Sequence, residues 1–136
     1  MTIGTVAALA LAPAATGAAA APPPTLGPVT IITAGHRTPV DVAGNHLHQG
    51  ATIREGTELR RWLVTMHGAS NAAVTLSCGP RGTQIGLALP DPSKVGLALA
   101  HGTGYYHETI KVHFYTPPHV TADGARGHIY ALCRIA

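Results

Sequence analysis

His46-Leu47-His48 is the arrangement in this chain closest to a metal site. On an extended backbone, residues two apart share a face and lie about 6–7 Å from one another, so both imidazoles can reach one cation. Zinc or copper needs further ligands, and His36 or His101 supplies one only where the fold brings it close. His107 and His113 cannot share a metal within a regular strand, because six positions of extended chain span about 20 Å. The plainer account leaves all nine histidines solvated in loops and on strand surfaces. Gly68-Ala69-Ser70-Asn71-Ala72 spells G-x-S-x-A, near the nucleophile-elbow pattern. An elbow needs a strand entering the serine and a helix leaving it, within a large α/β sheet. Here a strand leaves, so Ser70 reads as a turn residue. Carboxylates number only six, and no two are placed for paired acid–base work. The glycines are dispersed among turns and form no phosphate cradle. These absences point away from catalysis and require no cofactor.

The elements that would position such residues are strands. Asn71 to Cys78 alternates, with Ala72, Val74, Leu76 and Cys78 on one face and Ala73, Thr75 and Ser77 on the other. Ile129, Ala131, Cys133 and Ile135 share a face in the same way. Period-2 alternation bounded by Gly and Pro marks half-buried strands, and each of these carries a core-facing cysteine. The expected consequence is a Cys78–Cys133 disulfide through the middle of a β-protein. A redox pair more often has C-x-x-C spacing, so the bridge reads as a staple. Leu59 to Met66 forms another strand, with Trp62, Val64 and Met66 on one face, and a short turn predicts a hairpin with the Cys78 strand. Tyr105 to Tyr115 places Ile110, Val112 and Phe114 inward. PVTIITA at 28–34 is a first strand, and Val40–Val42 a second short one before an Ala-Gly-Asn turn.

G-L-A-L recurs ten residues apart, at Gly86 and Gly96, around Pro90-Asp91-Pro92-Ser93-Lys94. Two copies read as a hairpin, since repeat architectures need at least three; a short helix over 93–100 is the alternative. Ile85, Leu87, Leu89, Val95, Leu97 and Leu99 make one side. Gly86, Ala88, Gly96 and Ala98 leave the other nearly bare. A bare side implies close approach by an aromatic side chain, another backbone or a ligand, and Trp62 is the plain expectation. No segment sustains a helical period. The predicted class is all-β, a single-domain antiparallel β-sandwich of about eight short strands.

Domain limits follow from composition. Met1 to Ala21 is weakly apolar and ends in small residues that satisfy A-x-A, as a secretory signal does. No Lys or Arg precedes Arg37, so the basic n-region is missing; an upstream start or an atypical signal remain the alternatives. Pro13 and Gly17 argue against a membrane span there. Residues 22–28 form an extended Pro-rich lead-in, and 29–136 form the sandwich. Two cysteines in an exported chain suit an oxidising, extracellular compartment. The net charge is +3 with histidine neutral, and the basic residues are scattered, which excludes a nucleic-acid footprint. Protonating all nine histidines adds nine charges to the +3 and gives +12, so the surface charge responds strongly to mild acid.

Val74-Thr75-Leu76-Ser77-Cys78 resembles the first cysteine strand of immunoglobulin-like domains, and Asp123…Tyr130…Cys133 is similar to the segment bearing their second cysteine. The resemblance implies a sandwich architecture and no particular function. Trp62 precedes the first cysteine here, and Tyr130 stands three residues before Cys133 where the tyrosine corner has two. Val74 to Pro80 also resembles the V-T-L-x-C-x-P string that follows an Ala-rich leader in secreted bacterial subtilisin inhibitors. That family braces its inhibitory loop with a second disulfide, and no reactive-site residue carries over. The functional expectation is a secreted binding protein without catalysis, recognising a protein or cell-envelope polymer through loops or an open sheet face. A protease inhibitor acting through the Pro90–Lys94 loop is one concrete version. Histidine-mediated zinc or copper binding at His46 and His48 is the competing class.

Overall fold

The computed structural model describes residues 22–68, 71–90, 96–98, 108–115, 121 and 123–135. Eight strands form where period-2 alternation runs: β1 (Thr25–Leu26), β2 (Thr30–Thr33), β3 (Thr57–Thr65), β4 (Asn71–Ser77), β5 (Thr83–Ala88), β6 (Gly96–Ala98), β7 (Thr109–Tyr115) and β8 (Arg126–Arg134). Among the described residues there is no helix. The first sheet has the order β1-β3-β8-β5, with β2 also on β3; the second is β4-β7-β6. Every pairing is antiparallel.

The inner faces meet as the alternation requires. Trp62, Val64 and Met66 pack with Ile129, Ala131 and Cys133 against Val74, Leu76, Cys78, Ile110, Val112 and Phe114. The two sheets are joined covalently, because Cys78 follows β4 and Cys133 lies in β8, with the sulfurs 2.00 Å apart. The disulfide and the all-β class are as the alternation predicts, and the two packed sheets are the sandwich architecture expected. The lead-in is extended and gains a short ladder, with Thr25 opposite Thr65 and Leu26 opposite Val64.

Both predicted hairpins are corrected. β3 pairs with β8 along its whole length, and β4 pairs with β7, so the turn between them crosses from one sheet to the other. The two apolar faces meet across the sandwich and their backbone groups bond elsewhere. β5 likewise pairs with β8 while β6 pairs with β7. The helix alternative fails where it can be seen, since Gly96–Ala98 is strand. Both misassigned pairs have short connections, which suit a crossing between packed sheets as well as a hairpin.

β8 departs from simple alternation, because Ile129 to Cys133 are all buried. The first sheet therefore has a second core on its outer face. There Leu59, Ile85, Ala88, Tyr130 and Leu132 pack under Val40, Val42, Leu47 and Ile53, which come from the segment between β2 and β3. The two clusters share no side chain. A strand buried on both faces reads as a continuous apolar run, and IYALC in β8 is that run.

Candidate functional site

The covering segment, residues 34–53, has little regular structure and holds itself by turn bonds. Gly35 N donates to Ile53 O (2.9 Å), Ile53 N to His36 O (2.8 Å), Thr38 N to Ala51 O (2.8 Å) and Gly50 N to Thr38 O (2.8 Å). Asp41 accepts from Gln49 N through Oδ1 (2.6 Å), and Arg37 Nη1 donates to Gly50 O (2.9 Å). Val42 bridges to Leu47 across a tight turn in which Gly44 and His46 take positive φ, 85° and 58°. The lobe is then fastened to the sheet by its backbone. Ala43 N donates to Leu87 O (3.0 Å) and Leu87 N to Ala43 O (3.2 Å).

That fastening settles the bare face. A Cβ placed on Gly86 would stand 2.5 Å from Val42 Cγ1 and 2.6 Å from Ala43 O. Another backbone covers β5, where Trp62 was expected; Trp62 lies in the inter-sheet core. Gly96 and Ala98 belong to the other sheet and form no common face with Gly86 and Ala88. A β-bulge between Gln84 and Gly86 also breaks the alternation of β5. Ile85 thereby joins the outer core and Leu87 the inner one, so they do not share a side.

Beside the bulge the lobe and the sheet leave a cleft of about 330 Å³. Leu47, Ile85 and Leu132 form its apolar floor, and Arg54, Glu55 and Arg134 its charged rim, with Asn45 between. The volume falls within the range of small-ligand sites, and bulges are over-represented next to such sites. The rim is firmly built. Thr57 N (3.0 Å) and Thr57 Oγ1 (2.6 Å) both donate to Arg54 O, closing a turn through Gly56 at φ 82°. Ile135 N donates to Gly56 O (2.8 Å) and ties the end of β8 to that turn. The side chains of Asn45, Arg54 and Glu55 hydrogen-bond to none of the described residues. Arg134 has a partner within the protein. A second cleft, about 260 Å³, lies between Pro39, Val40, Asp41 and Gln49 of the lobe and Leu89-Pro90 after β5.

The predicted site residues separate. Pro90 is exposed and borders the second cleft, while Asp91, Pro92, Ser93 and Lys94 lie outside the described residues, as does Ser70. His46 and His48 are both exposed, but His46 sits in the left-handed turn, so the extended geometry that would put both imidazoles on one face is absent. Among the described residues no three His, Cys, Asp or Glu side chains gather to hold a metal. Two hydroxyl–imidazole contacts occur, Thr25 Oγ1 to His67 Nε2 (2.7 Å) and Thr33 Oγ1 to His36 Nδ1 (3.3 Å). Both are exposed and neither borders a cleft described here.

Sequence reasoning missed the rim arginines and one internal ion pair. Arg60 donates to Glu58 Oε1 through Nε (3.0 Å) and Nη2 (2.8 Å), and to Ser77 O through Nη1 (3.1 Å). The pair clamps β3 to the end of β4 beside the disulfide. Its signal was the E-x-R spacing, which puts both side chains on one face of a strand. Arg54 and Arg134 had no comparable signal, since eighty residues separate them in the chain. Comparison with protein-family models, with curated proteins and with solved structures found no match, so what the cleft does is argued from its own residues.

Proposed function

We propose that this chain is a secreted, non-catalytic binding protein, recognising its partner through the cleft between the outer lobe and the end of the first sheet. The observation that carries the reading is the cleft itself: a concave, partly apolar site whose polar side chains Asn45, Arg54 and Glu55 are not used by the described fold. Pockets with a few converging polar groups over an apolar floor are the ordinary form of binding sites. A disulfide between the sheets suits an oxidising compartment, which supports placement outside the cytoplasm. No helix among the described residues is long and apolar enough to cross a membrane. The partner would be a secreted protein or a cell-envelope polymer, engaged at an exposed group small enough to enter.

The test is a fragment screen by amide NMR on the isotope-labelled protein. Fragments that bind are expected to shift the amides of Leu47, Gly56, Ile85 and Leu132 together. Hits spread over the surface, or confined to the β4–β7–β6 sheet, would reject the cleft as the binding site.

A further inference from the structure

We propose that the cleft binds an uncharged acetamido group, the N-acetyl substituent carried by an amino sugar or an acylated amino acid. The inference rests on the reading of the cleft as a binding site and adds the ligand's chemistry.

The rim supplies the first argument. Arg134 is already engaged within the protein, so the polar side chains left for a ligand are Arg54, Glu55 and Asn45. Arg54 and Glu55 carry opposite charges, and neither has a hydrogen-bond partner among the described residues, so the available rim has no net charge. An ion of either sign meets its like charge there as well as its opposite. Hydrogen bonding of both kinds is what the rim offers: a guanidinium only donates, a carboxylate only accepts, and the Asn45 amide does both. A ligand that uses all three is uncharged and carries a donor and an acceptor side by side. A secondary amide places them on different atoms, N–H and C=O, and so reaches two different side chains; a hydroxyl offers both at one oxygen. The turn bearing Arg54 and Glu55 is fixed by the Thr57 bonds to Arg54 O, so the ordering cost of binding falls on the side chains alone.

The floor supplies the second argument. Leu47, Ile85 and Leu132 belong to the outer core and keep only 8 %, 4 % and 2 % of their surface exposed. Apolar surface that small covers a methyl group and not an alkyl chain. The core beneath also closes the floor, so the group that meets it must end there. An amide in mid-chain continues on both sides, whereas an acetamido group ends in its methyl. With the methyl on the floor, the N–H and C=O come to the rim, where Glu55 accepts, Arg54 donates and Asn45 serves either. At about 30 Å³ for each water-sized group, the 330 Å³ cleft has room for roughly ten, enough for the acetamido group and part of its carrier.

The experiment titrates labelled protein with N-methylacetamide, methyl acetate, acetate, N-acetylglucosamine, glucose and N-acetylalaninamide, reading the cleft amides. The three acetamido compounds should shift Leu47, Gly56, Ile85 and Leu132 together. Methyl acetate, which keeps the methyl and the carbonyl but lacks the N–H, should bind at least about tenfold more weakly than N-methylacetamide, the effect of losing one hydrogen bond to a charged group. Glucose and acetate should be weaker by a similar factor. Glu55→Ala should bring N-methylacetamide down to the level of methyl acetate and leave methyl acetate unchanged, while acetate gains because Arg54 is then unopposed. Glu55 is exposed, so the variant should retain the wild-type spectrum away from the cleft. N-acetylglucosamine binding more tightly than N-acetylalaninamide identifies a sugar as the carrier; the reverse order identifies an acylated amino acid. Methyl acetate binding as tightly as N-methylacetamide, or acetate binding more tightly than either, would overturn the assignment and spare the cleft as a binding site. Silence from every probe would remove both.

Discussion

Gln84 is enclosed completely, and neither its amide oxygen nor its nitrogen has a hydrogen-bond partner among the described residues. It stands opposite Cys133 in the β5–β8 ladder, as Glu58 does in the β3–β8 ladder. Three side chains thus cross the first sheet at the level of the disulfide, two of them polar. Glu58 is satisfied by Arg60, but Gln84 keeps the cost of a stripped amide, about 1–3 kcal/mol. Replacing it with an apolar side chain of like length removes that cost. Gln84→Met is expected to raise the urea midpoint, with a gain of about 1–3 kcal/mol at unchanged slope. A lower midpoint would mean that an internal water or another group satisfies the amide. None of this was legible in the sequence, where Gln84 only opens the G-L-A-L segment. A glutamine at a strand start is ordinary, and enclosure is a property of what lies above it.

At the scale of the element, β5 shows what alternation can and cannot report. Gly86 and Ala88 correctly marked a bare side that something must approach closely. Alternation cannot say which distant segment does so, and the closing backbone at Ala43 lies in a stretch with no period at all. The bulge added a second obstacle by moving Ile85 out of phase with Leu87. Gly86→Ala should therefore lower stability by about 1–3 kcal/mol, the usual cost of an overpacked core, because Val42 or Ala43 must move. Amide exchange at Ala43 and Leu87, which bond to each other, should accelerate with it. Gly27→Ala is the matched control. Its nearest new contact is 3.5 Å away at Leu63 O, and a change within about 0.5 kcal/mol is expected. Equal losses at both positions would show that contact with the lobe is not the cause, since reduced backbone freedom alone would stabilise both variants.

For the whole molecule, the sandwich and its bridge were readable because they rest on local rules. Val74, Leu76 and Cys78 share a face, as do Ile129, Ala131 and Cys133, and two such faces must be buried against each other. Sheet membership was not readable, because the turns after β3 and β5 permit a hairpin or a crossing. The candidate cleft was still less so, being assembled from four separated segments around Leu47, Arg54, Ile85 and Arg134. The bridge closes a separation of 55 residues, for which chain entropy predicts about 4 kcal/mol. The Cys78→Ala, Cys133→Ala double variant should lose about 2–5 kcal/mol in urea unfolding, a large part of a typical net stability of about 5–15 kcal/mol. A loss well below that range would place most of the stability in the two cores and not in the constraint on the unfolded chain.

The central position of β8 also bears on time. It is the shared neighbour of β3 and β5, yet it is made after both, and it carries the second cysteine. Until β8 is in place, β3 lacks its longest partner, Cys78 has no partner sulfur and the outer lobe has only part of its floor. Topologies built on such distant pairings close slowly, over milliseconds to seconds. The first sheet therefore closes only when β8 docks between β3 and β5.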